Sequence, residues 1–360
     1  MTGERVNTPI HYTVGPSQLY PTVVAHIQDA LDLNIMSISH RSAQFLEIYH
    51  DTSNRLRHLL TLPPAVHIFF VGSSLESMER TIENCVQEHC FHFVDGAFSA
   101  KWHQFALELG KKAQKIEARD GEGFHLDQEI PADTELICIT QNETSTGVAI
   151  QPAAISGLKD RYPDKLIAVD TVSSCPFVTL DMTKVDIMFF SPQKGFGLPA
   201  GMGVLLVSEA AVAKTKEMQK KGATIGTYHS FLSLLQSEQV DQTPETPNVL
   251  GIYLLGKVCA DLQERGIELI RDQTRAKSKL IYDTFSAHSR FRPHVQVPDF
   301  RSDTVVVIET PAEAGEIIKG LRSRGIIVAS GYGKRSNDQI RIANFPAHDY
   351  SDLKEWISSI

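Results

Sequence analysis

A lysine at the end of a buried strand can do chemistry that a solvated lysine cannot, and position 194 has that setting. Val185, Ile187, Met188, Phe189 and Phe190 form an apolar run with the length and composition of a buried strand. Ser191-Pro192 stops it, because proline has no N–H to offer a ladder. Lys194 follows at once, and Gly195, Gly197, Pro199, Gly201 and Gly203 come after it, a density that lets backbone approach a bound group closely. Loss of hydration lowers a lysine's pKa and makes its neutral, nucleophilic form accessible, the state needed for a Schiff base to a carbonyl compound. A lysine snorkelling out of a loop is the competing reading, and other groups must decide between the two.

Three further groups sit at comparable places. An apolar strand over residues 66–71 runs through Gly72-Ser73-Ser74 into a helical pattern over 75–86. Strand, small residues and helix together make an anion site, since unpaired N–H groups and the helix dipole face the turn. Ser73 with Glu76 also reads as a capping box, which would fix that same turn. The Gly-Lys-Ser/Thr of a Walker loop and the G-x-G-x-x-G of a dinucleotide site are both missing. A strand over 135–140 delivers Asn142-Glu143-Thr144, and a strand over 165–170 ends in Asp170.

Those groups need a frame that brings them together. Helical periodicity covers residues 21–33 and 45–60, and then strand and helix signals alternate: strand 91–95, helix 99–110, strand 115–118, helix 152–161, strand 203–208 and helix 209–221. Such alternation implies a mainly parallel sheet wrapped by helices, in which ligands gather at the carboxyl ends of the strands. Ser73, Thr144, Asp170 and Lys194 all fall at ends of that type. Residues 222–248 read as a long irregular connection, the kind that function or an interface usually explains. Long helical patterns over 249–264 and 266–287 lead to a smaller α+β unit with strands 303–309, 326–329 and 339–343 and a helix over 312–324. The expected division is a large domain, 16–250, and a small C-terminal domain, 251–360 joined by 1–15.

Composition narrows the partner. A formal charge of −8 argues against nucleic acid or an anionic membrane surface and leaves a small molecule. No uninterrupted apolar run approaches the roughly 18 residues of a membrane span, and the start lacks a secretory pattern, so a cytoplasmic protein is expected. The five cysteines show no C-x-x-C spacing, which suggests neither a disulfide framework nor a zinc site; no metal is expected. Pyridoxal phosphate requires an amine for its aldehyde, an acid for its pyridine nitrogen, a phosphate cup and a flat wall for the ring. Lys194, Asp170, the turn Ser73-Ser74-Leu75 and an aromatic such as Phe98 supply these in turn.

The segment Ser-Pro-Gln-Lys194-Gly-Phe-Gly-Leu-Pro-Ala-Gly, with Asp170, Asn142-Glu143-Thr144, Ser39-His40-Arg41 and Gly15-Pro16, resembles the class V aminotransferases, and the Ser-His-Arg element resembles their phosphoserine branch. The resemblance covers nearly the whole chain. It implies a fold-type-I pyridoxal-phosphate-dependent transferase, with Lys194 as the Schiff-base lysine, Asp170 as the pyridinium partner, Thr144 on the ring hydroxyl and Gln193 on the phosphate. It also implies a homodimer in which Thr243, with Gln242, crosses to the neighbouring subunit's cofactor phosphate. His40 and Arg41 match residues that grip a substrate phosphate, Lys334-Arg335 is the nearest substitute for a second basic pair, and Arg341 matches the arginine that binds the substrate carboxylate. The reaction so implied is a two-stage ping-pong from L-glutamate and 3-phosphohydroxypyruvate to 2-oxoglutarate and O-phospho-L-serine, a step of serine biosynthesis.

Some residues depart from that pattern. Phe98 stands where tryptophan is common, and the loop Gly331-Tyr332-Gly333-Lys334 followed by Ile-Arg341-Ile-Ala-Asn looks like the alanine- or serine-glyoxylate branch. That branch is one alternative. A cysteine desulfurase would need a mobile cysteine in the C-terminal third, where only Cys259 is found, and a non-catalytic binding protein on the same fold would bind no coloured cofactor.

Overall fold

Strands whose side chains are apolar on both faces can be satisfied only between two layers of helices. The computed structural model, which describes residues 8–358, has such a sheet of seven strands. Its order is His67–Val71, Gly203–Val207, Ile187–Phe190, Leu166–Asp170, Leu136–Thr140, His89–Val94 and Lys112–Glu117. All neighbours pair in parallel except Gly203–Val207, which runs antiparallel to the strand on either side. Ile137, Ile139, Ile167 and Val169 face one apolar core, while Leu136, Cys138, Ala168 and Ile187 face the other. All five cysteines are buried and unpaired.

The register lines up the carboxyl ends. Thr140 pairs with Asp170, and Asp170 with Phe189, so the segments leaving these strands emerge along one edge. Two helices begin at that edge, Ser74–Cys85 and Ala97–Glu108. Ser73 caps the first by accepting from Glu76 N at 3.2 Å, but the reciprocal half of the expected capping box is absent: Glu76 Oε2 accepts from Gly72 N, at 2.9 Å.

A second sheet of five strands has the order Ile10–Tyr12, Ile326–Ser330, Gln339–Ala343, Val305–Glu309 and Arg292–Pro293. Its core gathers Tyr12, Phe285, Val306, Ile342 and Trp356, with helices Ile267–Ala287, Ala314–Ser323 and Tyr350–Ile357 supplying the cover. Strand Ile10–Tyr12 pairs in parallel with Ile326–Val328, which ties the N-terminal segment to the C-terminal part of the chain. Residues 1–7 of the expected small unit lie outside the described residues.

Three sequence expectations need correction. Residues 222–248 are not wholly irregular, since helix Phe231–Glu238 lies among them, capped by Ser230 and anchored by buried Phe231 beside Phe69. Eight residues are too short for a periodic signal to stand out. Residues 251–265 were expected with the small unit, but helix Val249–Arg265 packs on Ala43–Leu59: Thr52 Oγ1 donates to Ile252 O, and Ile252, Leu255 and Leu262 join the large-sheet core. The chain turns away at Gly266, where φ is +88°. Strand Ile10–Tyr12 and helix Tyr350–Ile357 went unread, the first because three residues carry no alternation, the second because it lies at the chain's end with only two turns.

Gly203 shows how tightly the sheet holds the turn at its edge. A Cβ there would stand 2.6 Å from Ser73 C and 3.0 Å from Ser74 N, both backbone atoms that cannot rotate away. Gly203→Ala is therefore expected to lower unfolding stability by about 1–3 kcal/mol in urea titrations, the cost of overpacking a closed interior. Unchanged stability would show that the turn is free to shift.

Candidate active site

A cavity of about 350 Å³ opens at the shared strand edge. Lys194, Asp170, Thr144 and Phe98 line it, as do Ser73, Ser74 and Leu75 at one end and Gln193 and Arg341 beyond. Nine residues expected from sequence thus meet in one place.

Lys194 is 7% exposed, and its Nζ donates to Thr144 Oγ1 at 3.1 Å and lies 5.5 Å from the Phe98 ring centroid. Gly15 presses against its stem: φ there is +141°, and a Cβ would stand 2.6 Å from Lys194 Cε. Only glycine meets both conditions. Burial drives the Lys194 pKa down, with Arg341 adding to the effect, while Asp170 and Glu143 oppose it. Burial likewise pushes the Asp170 carboxyl up, against the Val172 N–H on Oδ1 at 2.8 Å and the nearby Lys194. A cationic pyridine nitrogen opposite Asp170 would bring its pKa down again. The chain's own groups do not supply enough positive charge for that, so the desolvated acid fits a cationic ring nitrogen as its missing partner.

Thr144 is itself held in place. Its hydroxyl donates to Ser173 Oγ at 2.9 Å, and Ser173 Oγ also accepts from Asn142 Nδ2 at 2.7 Å and donates to Asn142 O. Thr144 Oγ1 is therefore oriented to accept from Lys194. Ser173 was missed because nothing in Thr171-Val-Ser-Ser marks it until the chain brings it under Asn142.

At the other end, Ser74 and Leu75 occupy the first turn of their helix, where backbone N–H groups have no intrahelical acceptor. Ser74 Oγ and Ser191 Oγ share a hydrogen bond of 2.5 Å, and the Gln193 amide keeps a buried oxygen without a partner. Unpaired N–H groups and a helix N-terminus suit the phosphate of pyridoxal phosphate, which Gln193 would meet through its NH2 group, the donor end of the amide. Arg341 Nε donates to Ser330 O at 2.8 Å and Nη1 to Thr144 O at 3.3 Å. Its guanidinium lies over the Tyr332 ring, 5.5 Å from the centroid. No hydrogen bond to Nη2 is present among the described residues, which leaves that end of the fork for a carboxylate. Tyr332, also 5.4 Å from the Phe98 ring, is a lining residue that sequence reasoning did not single out.

Six expected residues lie elsewhere in this chain. Arg41 is exposed and donates to Gln242 Oε1 and, at 2.9 Å, to Thr243 O; His40 is half-buried beside it in sequence, and Thr243 Oγ1 donates to Glu245 O. None of these four lines the cavity. Lys334 is exposed, and Arg335 turns away from the cavity to Glu309, with Nη2 2.7 Å from each carboxylate oxygen. Glu309 also meets His294 Nδ1 at 2.5 Å, and His294 Nε2 reaches Asp120 Oδ1 at 3.1 Å. A carboxylate this well served captures the Arg335 guanidinium, so the expected substrate grip at Arg335 becomes a tie from the turn Gly333–Arg335 to strand Val305–Glu309. Burial opposes ionisation of Glu309, yet His294, Gln339 and Arg335 hold its pKa down to about 2. Burial likewise disfavours the charged form of His294, but Glu309 and Asp120 outweigh it and raise its pKa.

Comparison with known proteins is consistent with this geometry. The family described as aminotransferase class-V matches residues 12–344. A phosphoserine aminotransferase from Rhodococcus opacus is 25% identical over 350 residues, covering 96% of this chain and 92% of the relative. The crystal structure of a phosphoserine aminotransferase from Cytophaga hutchinsonii is 44% identical with a TM-score of 0.96, covering 98% of each chain. That of an alanine–glyoxylate aminotransferase from Nostoc shares the fold, with a TM-score of 0.82 at 19% identity, over 100% of this chain and 95% of that one.

The His294 tie has a definite pH signature. Because the folded-state pKa is raised above the unfolded value, its stabilisation is complete below about pH 6.5 and is lost as pH rises through the folded value. The stability gap between the wild type and His294→Gln should be on the order of 1 kcal/mol at pH 6 and shrink by pH 9 in urea unfolding. A gap that stays constant or grows would contradict a charged His294.

Proposed function

The chain belongs to the class-V aminotransferase family, as a transaminase that depends on pyridoxal phosphate, and from that premise we propose that it makes O-phospho-L-serine and 2-oxoglutarate from 3-phosphohydroxypyruvate and L-glutamate. The observation that carries the reading is a single cavity in which the Lys194 amine, the Asp170 carboxyl and the free end of Arg341 accompany the N–H groups of Ser74 and Leu75. Similarity to two phosphoserine aminotransferases over almost the full length supports the substrate pair.

Ser74, Leu75 and Gln193 would hold the cofactor's phosphate, Phe98 would cover one face of its ring, and Thr144 would meet its hydroxyl. When bound, pyridoxal phosphate supplies an aldehyde that takes up the amino group and a ring that accepts the electron pair released at the α-carbon. Asp170 keeps the proton on the ring nitrogen. Arg341 binds the substrate carboxylate and so fixes which α-carbon bond faces Lys194. Burial keeps a useful share of the Lys194 amine neutral, so it can take a proton from the α-carbon and return one. The apolar cavity walls exclude water that would otherwise compete for that proton.

We place the work in serine biosynthesis, in the cytoplasm, in a homodimer. Arg41, Gln242 and Thr243 form one hydrogen-bonded cluster, with His40 next to it in the chain, outside their own chain's cavity, as residues serving a neighbouring subunit's site would. No helix among the described residues is long and apolar enough to cross a membrane. One observation favours an alanine- or serine-glyoxylate reaction instead: with Arg335 engaged by Glu309, Lys194 and Arg341 are the two cationic residues lining the cavity in this chain.

Half-reactions separate the two readings. The purified holoenzyme is mixed with phosphoserine, serine, alanine or glutamate in turn, and conversion of the cofactor's visible spectrum is followed. Phosphoserine and glutamate should convert it fastest. Arg41→Ala should reduce kcat/KM for phosphoserine by about 100-fold, the loss expected for a charged hydrogen bond to phosphate, and leave alanine within about threefold. Equal losses on both substrates, or preference for alanine, would favour the glyoxylate reaction. A subunit that sediments as a monomer would remove the proposed role of Arg41.

A further inference from the structure

Glu143 stands between two walls of the cavity and touches neither the substrate space nor solvent; it is completely buried. On one side it directly precedes Thr144, the acceptor for Lys194 Nζ. On the other, its carboxylate reaches the start of helix Ala97–Glu108, which carries Phe98. Oε2 accepts from Phe98 N at 3.0 Å and from Ser99 N at 2.9 Å, and lies 3.1 Å from Ser99 Oγ. Oε1 accepts from Ser145 N at 3.0 Å and from Ser145 Oγ at 2.7 Å. Every group facing Glu143 in these contacts is a donor, an environment that only an acceptor-only carboxylate satisfies.

That helix has no side-chain cap at its N-cap position, although Ser99 Oγ accepts from Gly96 N at 3.1 Å and Ser145 Oγ from Ala97 N at 2.9 Å. Its N-cap is Gly96, which has no side-chain oxygen to offer, and Glu143 takes over the role from a distant part of the sequence. Gly96 is required for the approach: a Cβ there would stand 2.4 Å from Glu143 Cγ and 2.6 Å from Ser145 Oγ. The neighbouring acid behaves as the counterpart, since burial and then the Glu143 charge push the Asp95 carboxyl well above its usual range. Hydrogen bonds to an ionised acceptor are shorter and stronger than neutral ones, so the first turn of this helix is fixed rather than frayed.

We propose that Glu143 is the positioning residue for the cofactor's ring. One buried carboxylate ties the Phe98 wall to the Thr144 wall and thereby sets the width of the slot opposite Lys194. The proposal rests on the reading that Phe98 covers the ring of pyridoxal phosphate.

Glu143→Gln keeps the shape but turns an NH2 group towards donors. The dissociation constant for pyridoxal phosphate should rise by about tenfold or more, as expected when a charged acceptor is lost. The visible circular dichroism of the bound cofactor, which reports ring orientation, should change in size. In a Phe98→Ala background the same substitution should raise the dissociation constant less than about threefold, because the wall it positions is already gone. Unchanged affinity and circular dichroism in Glu143→Gln would overturn the proposal, as would an equal effect with and without Phe98. If Glu143→Gln does not fold, Glu143→Asp, one methylene shorter, takes its place in both backgrounds, and the same results support or overturn the proposal. A wild-type protein that binds no pyridoxal phosphate would instead overturn the function on which the proposal rests.

Discussion

A primary amine held out of water at the edge of a parallel sheet is the constraint on which the rest depends. Taking the Lys194 amine from solvent penalises its charged form, and the chain accepts that penalty with one hydroxyl contact and an acid in the same cavity. Asp170 carries a matching penalty of desolvation, and neither group is fully satisfied by the protein alone. Two incompletely compensated groups in one cavity are a poor arrangement for stability and a useful one for a ligand that carries both a carbonyl and a basic ring nitrogen.

The sheet makes that arrangement possible. Its inner strands are buried on both faces, so their registers are fixed by packing, and the pairing of Thr140 with Asp170 and of Asp170 with Phe189 brings distant segments to one edge. Loops can then vary without moving the edge. Gly15 and Gly203 show the tolerance: each lies against a part of the site, and a single added carbon at either would meet atoms at 2.6 Å. The small sheet contributes the remaining wall through Arg341 and Tyr332, and the Arg335–Glu309–His294 tie holds the loop that carries Tyr332.

Much of this was legible in the chain because long-range order here has local causes. Apolar runs that stop at Pro192 or end in Asp170 announce both a strand and the group it delivers. Lys194, Asp170, Thr144, the Ser73 turn and Phe98 were found in that way and meet in the cavity. What stayed hidden depends on partners remote in sequence. Arg335 looked free until Glu309 was seen to face it, and Arg41 until Gln242 and Thr243 did. Ser173 carries no signal of its own, and Glu143 was read only as the middle of Asn142-Glu143-Thr144, since the importance of both lies in which donors the fold aims at them. Short elements such as Phe231–Glu238 and Ile10–Tyr12 were lost because their periods complete too few cycles to be read.

The most direct measurement maps the covalent attachment itself. The holoenzyme is reduced with borohydride, digested, and its peptides searched by mass spectrometry for the added pyridoxyl phosphate. Label on Lys194 alone is the expected result; label on any other lysine, or on none, contradicts a cofactor held by the amine at that strand edge.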